Sequence, residues 1–440
     1  MESPKMIYEQ CIEDRTPKEK KNPISNAICA WLPTLLSSSS GSRSAEVREC
    51  LIDDGHTLNN LFIRAPKRWS VYEPMILLPS GSFTEGPWPW FLSLLEPQQR
   101  EALWVGILRE ISAISPANLT HLAINEGIPL TTSEDDVVGE KKKENFLRSP
   151  SGLKLVCGDF GPESSPSTTE AEFEEAAKEA LWVSTKQNGI TQTWAPRWTM
   201  FSRGNVKEKT RLLTFHSPPD ASEVAHKHRD KASLRSKWAV DLYAGIGYFV
   251  FSYAKLGMRV LCWELNPWSV EGLRRGALAN KWSVKVIQGE DDLLRPTPEL
   301  VAGEEQIIVF LESNEEAERR IRELRDSGQQ ELLDILHVNC GFLPTSAPTW
   351  QPAWNIVQPQ KGGGWLHLHE NVGVRDIASR RDEIQSLFNS WQLPQGQEGR
   401  RREVRVEHVE QVKTYAPDVW HVVFDVYITP LTSPQDTTIT

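Results

Sequence analysis

The chain has 440 residues, of which 39% are hydrophobic, and its formal net charge is −10 at pH 7. This length exceeds what one hydrophobic core usually supports, so we expect at least two domains, and the composition excludes collagen, a coiled coil and a disordered chain. The six cysteines form no CxxC pair and no Cys/His cluster at zinc spacing, which predicts a reducing compartment and no metal site. The net acidity argues against nucleic-acid binding over the whole surface, but it is compatible with a local basic stripe.

We expect a cytoplasmic, monomeric protein without a membrane span. No stretch approaches the roughly 18 consecutive apolar residues that a span needs, and Met1–Lys21 has no apolar leader core. Composition divides the chain into a poorly defined extension (1–60), a small α/β domain (61–185), a larger catalytic domain (186–430) and a tail (431–440). The acidic stretch near 158–180 predicts a mobile, solvated insertion.

The small domain contains two recognisable elements. Met75–Leu78 is an apolar run closed by a Pro-Ser-Gly turn, which predicts a short buried strand. Glu101–Ile114 has apolar residues at helical spacing and is predicted to be an amphipathic helix.

A basic segment lies near the start of the larger domain. Between Arg197 and Lys237 ten Lys and Arg residues stand against four Asp and Glu residues, a local charge of +6. Trp194 and Trp198 at its upstream end offer flat faces on which bases could stack. A charge run is more often only a solvated face, so this segment predicts an RNA-binding surface only in combination with the α/β domain downstream of it.

From Trp238 onward, strands and helices alternate as is typical of a doubly wound α/β domain. The predicted strands are Ala239–Tyr243, Arg259–Trp263, Val284–Gln288, Ile307–Leu311, Asp334–Asn339, Trp365–His369, Val404–Val412 and Val419–Ile428. The predicted helices are Phe249–Leu256, Pro267–Ala279, Glu315–Arg325 and Asp376–Phe388. We interpret 305–326 as an insertion, and the last two strands as an antiparallel hairpin that closes a mostly parallel sheet.

Features at the ends of the first three of these strands indicate a nucleoside ligand. The segment Asp241–Gly247 lacks the third glycine of a dinucleotide fingerprint, which argues against NAD, but Gly245 and Gly247 still allow close approach of a ligand. Glu264 could accept ribose hydroxyls, and Glu290–Asp291 could bind the amine of an adenine. Each feature alone is also explained as a tight turn or a helix N-cap. Together they predict S-adenosylmethionine, in a class I methyltransferase-like Rossmann fold.

Five blocks in the right order resemble the wybutosine-synthesising tRNA aminocarboxypropyltransferase family, a relative of the tRNA guanine-37 N1-methyltransferases. They are Met200–Arg211, Asp241–Phe249, Cys262–Pro267, Leu366–Val372 and Val412–Pro417. The resemblance is dense over 186–428 and thinner over 61–130. The end of the predicted strand Asp334–Asn339 also resembles the transferases, because Asn339 stands five residues before Pro344, whereas the N1-methyltransferases have Asn-Leu-Pro there.

The resemblance implies transfer of the 3-amino-3-carboxypropyl group of S-adenosylmethionine to 4-demethylwyosine at position 37 of tRNA(Phe), with release of methylthioadenosine. By the same resemblance Ser202 and Lys209 contact the donor, with Lys209 near its carboxylate, while Glu264 binds the ribose and Glu290–Asp291 the adenine. Asp241 belongs to the same site through the glycine turn. No residue is identified as catalytic.

Contacts to tRNA are less clearly indicated. Arg203 and Arg211 are candidates for phosphates of the anticodon stem, although pairing with Glu208 is the structural alternative. His367 and His369 share one face of a strand, so they could line a base pocket or be hydrogen-bonded structural residues. Asn339 and Pro344, named above, are further candidates for substrate contact.

Two other functions stay open at this point. A guanine-37 N1-methyltransferase shares the fold, and the segment from Asn339 to Pro344 argues against this function. A catalytically silent tRNA-binding scaffold would have no physical reason to keep the residues that match the donor contacts. The insertions near 158–180 and 305–326 depart from the family pattern and have no assigned role.

Overall fold

The computed structural model describes residues 22–37, 55–126, 131–132, 143–144, 152–163, 169–217, 226–329, 333–357, 363–392 and 402–429. They fall into two compact units, Met1–Thr185 with Ala195–Met200, and Lys186–Trp194 with Phe201–Thr440. The expected tail, 431–440, and most of the expected extension, 1–60, lie outside the described residues. Within the described part of the chain, no helix has the length and apolar character needed to cross a membrane.

The first unit is built on a four-stranded sheet in the order β1-β2-β3-β6. Its strands are β1 Ser70–Tyr72, β2 Met75–Leu78, β3 His121–Ile124 and β6 Lys154–Cys157, and a separate pair consists of β4 Thr131–Thr132 and β5 Lys143–Glu144. Its helices are α1 Pro23–Ser37, α2 Gly55–Arg64, α3 Trp88–Ser93, α4 Pro97–Ser112 and α5 Glu170–Glu179. Strand β2 has the predicted limits, and the predicted amphipathic helix is confirmed as α4.

Helix α1 is part of the core of this unit, although no helix was predicted in its segment. Ile24, Ile28 and Leu32 are fully buried in one cluster with Leu103 and Ile107 of α4. This spacing of four residues places the three apolar side chains of α1 on one helical face. The structure therefore describes a packed helix within the segment expected to be a poorly defined extension.

Part of the acidic stretch also has a buried face. Thr169 caps α5 by accepting a hydrogen bond of 3.2 Å from the backbone N–H of Glu172, which satisfies one of the free donors at the helix start. Ala177 and Ala180 are buried, whereas most of the glutamates of this helix are exposed.

The second unit begins with a hairpin, β7 Val183–Gln187 and β8 Ile190–Trp194, of which β7 starts before the unit boundary. Its other strands are β9 Trp238–Asp241, β10 Arg259–Trp263, β11 Val284–Ile287, β12 Ile307–Phe310, β13 Ile335–Cys340, β14 Gly364–Gly373, β15 Val404–Ala416 and β16 Val419–Ile428. Its helices are α6 Val206–Thr214, α7 Lys231–Arg235, α8 Val250–Lys255, α9 Pro267–Ala279, α10 Glu290–Leu293, α11 Thr297–Leu300, α12 Ala317–Leu324, α13 Trp350–Ile356 and α14 Ile377–Trp391.

The eight later strands form one sheet in the order β11-β12-β10-β9-β13-β14-β16-β15. The first six run parallel, and β16 pairs antiparallel with both β14 and β15. All residues of β9 and β13 are buried, as is typical of parallel strands that are covered on both faces. The predicted mostly parallel sheet with a C-terminal hairpin is confirmed.

The predicted insertion contributes a strand inside the sheet. Strand β12 lies between β10 and β11, with Trp263 of β10 opposite Phe310 of β12 and Ile287 of β11 on the other side of Phe310. Strand β11, the third strand in chain order, is therefore at the edge of the sheet. This placement changes which loops lie beside the end of β10.

Candidate functional site

The glycine turn after β9 has a backbone that only glycine adopts readily. Gly245 has a φ of +53° and Gly247 a φ of +88°, both in the left-handed region. A Cβ on Gly247 would lie 2.6 Å from the ring of Phe251, so the turn also packs too closely for a side chain. Gly245 donates a backbone hydrogen bond of 2.8 Å to Oε2 of Glu264 at the end of β10. The two predicted features are thus brought together.

The carboxylate of Glu264 is held in place by backbone donors. Oε1 accepts from the N–H groups of Leu265 at 3.1 Å and Asn266 at 2.9 Å, and Oε2 accepts from Gly245. Burial raises the pKa of this half-buried carboxyl, and the three hydrogen bonds oppose that rise. A carboxylate has about four acceptor positions, so Oε2 keeps room for one further donor such as a hydroxyl.

Asp241 and Asn339 lie side by side at the carboxyl ends of β9 and β13. Both are fully buried, and Asn339 Nδ2 donates to Asp241 Oδ1 at 3.3 Å. Burial raises the pKa of Asp241 to about 7, although hydrogen bonds from Tyr243 N–H and Asn339 oppose it. Among the described residues, Asp241 Oδ2 and Asn339 Oδ1 have no hydrogen-bond partner. Two buried acceptors at adjacent strand ends are suited to bind an ammonium group.

Two lysines converge near Ser202. Lys209 of α6 is 3% exposed, and its Nζ donates to Oε1 of Gln187 at 2.6 Å and of Gln192 at 2.7 Å. Lys413 of β15 donates from Nζ to Ser202 Oγ at 2.9 Å. Burial and then the charge of Lys413 lower the pKa of Lys209 to about 8. Over the ranges that the structure describes, neither ammonium forms an ion pair with a carboxylate.

Aromatic residues connect the lysine pair to the glycine turn. Lys209 Nζ lies 5.0 Å from the centre of the Phe201 ring and 5.9 Å from that of Tyr248. Tyr248 Oη accepts a hydrogen bond of 3.1 Å from Ser202 N, and a Cβ on Gly245 would meet the Tyr248 ring at 2.9 Å. Ser202, Lys209 and the glycine turn therefore belong to one contiguous site. Lys413 was not predicted, although it lies in one of the five resembling blocks.

Glu290 and Asp291 are not brought next to Glu264. Both are exposed at the start of α10, which follows β11, and β12 lies between β11 and β10. Since neighbouring strands are about 4.8 Å apart, the two acids are roughly two strand spacings from Glu264. The loop after β12 lies beside Glu264 instead, as the backbone N–H of Glu264 donates to the carbonyl of Phe310 at 3.1 Å.

Two side chains of that loop form bonds to other residues of the protein. Glu312 pairs with the buried Arg320 and accepts from Trp263 Nε1 at 3.1 Å. Asn314 Nδ2 donates to the carbonyl oxygen of Leu242 at 2.8 Å. The loop Leu311–Asn314 therefore has a fixed position at the carboxyl edge of the sheet.

The candidates for tRNA contact separate into exposed and buried residues. Arg203 and Pro344 are exposed. Arg211 instead binds Glu208 and Asp425, with its side chain only 16% exposed, so the structural alternative of pairing with Glu208 is correct. Trp194 is 3% exposed and stacks on Phe201 at 4.7 Å, so it has no free face for a base.

The two candidate histidines of strand β14 are also buried. His367 and His369 are 0% and 1% exposed and hydrogen-bonded to other buried side chains, which agrees with the structural alternative. Half-buried aromatic rings lie closer to the strand ends, where Tyr243 and Phe342 stack with their centres 5.0 Å apart. These two rings are the flat surface beside Asp241 and Asn339.

Comparison with known proteins identifies the family. The chain is 36% identical over 363 residues to the tRNA wybutosine-synthesizing protein 2 of Schizosaccharomyces pombe, covering 82% of this chain and 72% of that protein. It is 33% identical over 402 residues to the protein of the same name from Saccharomyces cerevisiae, covering 86% of this chain and 77% of that protein. The chain belongs to the tRNA wybutosine-synthesizing protein 2 family. The resemblance inferred from the five blocks is confirmed.

No protein-family model matches the chain. Among solved structures, Pyrococcus horikoshii TYW2 in complex with MeSAdo is similar with a TM-score of 0.48 and 17% identity, covering 88% of this chain and 98% of that chain.

Proposed function

We propose that this chain transfers the 3-amino-3-carboxypropyl group of S-adenosylmethionine to 4-demethylwyosine at position 37 of tRNA(Phe), with release of methylthioadenosine. Membership of the wybutosine-synthesizing family supports the reaction class and the donor. The site at the carboxyl edge of the second unit's sheet is where ligands bind in open α/β folds. The chain's own residues there have the chemistry that the donor requires.

The lysine pair carries this proposal. Two ammonium groups, Lys209 and Lys413, are withdrawn from water, and no carboxylate of the described residues forms an ion pair with either. A buried charge that lacks its counter-ion is costly, so the pair is suited to an anion that arrives with a ligand. The α-carboxylate of S-adenosylmethionine is such an anion. Asp241 and Asn339 supply acceptors for the α-ammonium of the same ligand.

At the nucleoside end we assign Glu264 to a ribose hydroxyl through Oε2, and Gly245 and Gly247 to close backbone approach. For the adenine, the loop Leu311–Asn314 is better placed than Glu290–Asp291, because it follows the strand that neighbours β10. Its backbone groups can pair with the edge of the base while Glu312 stays bound to Arg320.

The chemistry needs alignment more than activation. A ring carbon of the base attacks Cγ of the methionine arm, the Cγ–S bond breaks, and its electron pair stays on the sulfur of the leaving methylthioadenosine. The ring carbon then loses its proton. Anchoring both the carboxylate and the ammonium fixes the arm, so that Cγ rather than the methyl group faces the nucleophile.

The macromolecular partner in this proposal is the anticodon region of tRNA(Phe), bound by a monomer. Exposed Arg203 is the remaining phosphate candidate of the predicted pair, and the stacked rings of Tyr243 and Phe342 support a base at the strand ends. The described cysteines are free thiols, which supports the cytoplasm as location.

A double-label experiment tests the reaction. S-adenosylmethionine is labelled separately on the methyl group and on the carboxyl carbon, and incubated with tRNA(Phe) that carries 4-demethylwyosine. We expect carboxyl label in the RNA and release of methylthioadenosine. Methyl label in the RNA would instead identify an N1-methyltransferase type of activity, and absence of both labels would identify a tRNA-binding scaffold.

A further inference from the structure

A row of three buried histidines crosses the sheet of the second unit, with a hydrogen-bond acceptor at each end. His216 Nε2 lies 2.8 Å from His337 Nε2, and His337 Nδ1 lies 2.9 Å from His367 Nε2. At one end His367 Nδ1 lies 2.7 Å from Asp425 Oδ1, and at the other His216 Nδ1 lies 2.6 Å from the carbonyl oxygen of Lys227. The three rings are at most 2% exposed.

The number of protons in this row can be counted. Four hydrogen bonds require four protons, but three neutral imidazoles supply three, and neither the Lys227 carbonyl nor an ionised Asp425 supplies any. Asp425 is not the source, since Arg211 binds it at 2.5 Å and 3.0 Å. Although burial opposes it, Arg211 and His367 hold the pKa of Asp425 well below its ordinary range. One histidine of the row must therefore be doubly protonated.

The charge balance leads to the same conclusion by a separate route. Arg211 also binds Glu208, at 2.8 Å and 2.6 Å, and the Glu208 and Asp425 side chains are fully buried. Among the groups of this cluster in direct contact, two carboxylates and one guanidinium leave a net charge of −1. An uncompensated buried charge is strongly unfavourable, and one imidazolium restores neutrality.

The position of the extra proton is determined by the neighbours of each ring. Burial first, and then the nearby cations Arg229 and Lys227, lower the pKa of His216 to about 4, and burial with His216 lowers that of His337 well below the ordinary value. His367 is the ring in contact with a carboxylate. The charged and titratable groups around the row are Glu208, Arg211, Lys227, Arg229, Tyr253, His369 and Asp425.

We propose that His367 is an imidazolium in the folded protein and that, with Asp425 and Arg211, it is a positioning residue for helix α6. All four hydrogen bonds are then satisfied: His367 donates from both nitrogens, His337 donates from Nε2 to His216, and His216 donates from Nδ1 to Lys227. The positioning role rests on the proposed function, because it assumes that Lys209, which is next to Glu208 on α6, binds the carboxylate of S-adenosylmethionine. Fixing Glu208 and Arg211 fixes the rotation of the helix that presents Lys209.

The chain contains a matched internal control. His369 Nδ1 lies 2.9 Å from His421 Nε2, and both rings are 1% exposed. Their outer nitrogens, His369 Nε2 and His421 Nδ1, have no hydrogen-bond partner among the described residues, and no carboxylate touches them. One proton suffices for their single bond, and burial lowers the pKa of His421 to about 3. This pair should be neutral.

Nuclear magnetic resonance of the full-length protein with ring-¹⁵N-labelled histidine tests the protonation. At about pH 8, above the ordinary pKa of histidine, we expect one buried ring with both nitrogens protonated, absent from the spectrum of His367→Gln. His337 should be the Nε2–H tautomer and His216 the Nδ1–H tautomer, while His369 and His421 are neutral. Neutral rings at all five positions would overturn the proposal.

The variant Asp425→Asn separates protonation from positioning. The amide of Asn at this position can donate the hydrogen bond to His367 Nδ1, so three neutral imidazoles then suffice for the row. Glu208 and Arg211 balance each other's charge, so the variant should fold without an imidazolium. Because Arg211 loses an ionic partner, α6 should be less firmly held and S-adenosylmethionine should bind severalfold more weakly. Methylthioadenosine, which lacks the carboxylate, should bind as before.

The outcomes are distinguishable. Unchanged affinity of Asp425→Asn for S-adenosylmethionine, with the imidazolium lost, would overturn the positioning role. Equal weakening for both ligands would do the same, since it would show a general loss of structure. If the unchanged protein failed to bind S-adenosylmethionine, the proposed function would fail, and a doubly protonated His367 would still establish the first part of this inference.

Discussion

Helix α6 contributes to two buried charged clusters that differ in one respect. Glu208 and Arg211 belong to a cluster with Asp425 and His367 in which every charge has a partner. Lys209, between them in sequence, belongs to a pair with Lys413 in which, over the described chain, neither ammonium has a carboxylate partner. Glu208 and Lys209 are neighbours on α6 with exposures of 0% and 3%, so burial alone does not explain the difference.

The two clusters show how buried charges with a structural role differ from buried charges that await a ligand. A balanced buried cluster fixes the positions of the elements that contribute to it, and removing one member leaves the others uncompensated. An unbalanced cluster lowers stability in the free protein and gains its counter-ion only when a ligand binds. Sequence alone does not make this distinction, because the helix residues of both clusters lie in one basic segment.

The largest expected effect is on stability. Replacing Arg211 with methionine leaves buried Glu208 without a cation and Asp425 with His367 alone, and should lower the free energy of unfolding by about 3–5 kcal/mol. Denaturant unfolding followed by circular dichroism measures this. Arg203→Met, at an exposed position of the same segment, is the control and should change stability by less than about 0.5 kcal/mol. Similar values for the two variants would mean that the cluster is not a structural unit.

The second expected effect is on ligand affinity. Lys209→Gln removes an unbalanced charge, so the protein should stay folded, but it also removes a charged donor that we place on the carboxylate. A loss of about 1.5–3 kcal/mol corresponds to roughly ten- to hundredfold weaker binding of S-adenosylmethionine. Calorimetric titration measures it. Methylthioadenosine serves as control and should bind both forms alike; weaker binding of this ligand as well would place Lys209 elsewhere in the site.

A smaller effect is expected at the nucleoside end. Glu264→Gln keeps an acceptor but loses its charge, and should weaken S-adenosylmethionine and methylthioadenosine equally, by about 1 kcal/mol or roughly fivefold. Asp291→Asn, at an exposed acid about two strand spacings from Glu264, should leave both affinities unchanged. If Asp291→Asn had the larger effect, the adenine would lie at α10, as the sequence first indicated, and not at the loop Leu311–Asn314.

The smallest effect concerns pH. Since the pKa of Lys209 in the free protein is lowered to about 8 and a bound carboxylate raises it, the protonated form binds the donor. The part of the affinity that depends on Lys209 should fall as the pH rises, by about twofold between pH 7 and 8, whereas Asp241, with a pKa of about 7, acts in the opposite sense in both proteins. The same titration with Lys209→Gln is the reference. The ligand's own amine titrates with both proteins, so the difference between the two profiles reports on Lys209. Identical pH profiles for the two proteins would contradict the assignment.

Much of the second unit could be predicted because its signals are local. Strand β10 and helix α9 have the predicted limits, since alternation of apolar runs with glycine turns defines them within a few residues. The glycine turn and Glu264 were predicted as parts of one site for the same reason. Parallel strand ends that follow one another in the chain meet at one edge of the sheet.

The remaining features depend on contacts that are distant in sequence. Lys413 reaches Ser202 across 211 residues, and Asp425 reaches Arg211 across 214, so no local pattern reveals these partners. Strand β12 was predicted as a strand, but periodicity does not determine its order in the sheet. The prediction that Glu290–Asp291 bind the adenine therefore did not include the strand that separates them from Glu264. Helix α1 was missed because the surrounding segment has weak periodicity.

A crystal structure with bound S-adenosylmethionine tests the central claim most directly. We predict that the α-carboxylate of the ligand lies within hydrogen-bond distance of Nζ of Lys209 or Lys413, with its ammonium against Asp241 or Asn339. A ligand whose carboxylate touches neither lysine would contradict the account, because the unbalanced pair would then have no counter-ion in the bound state.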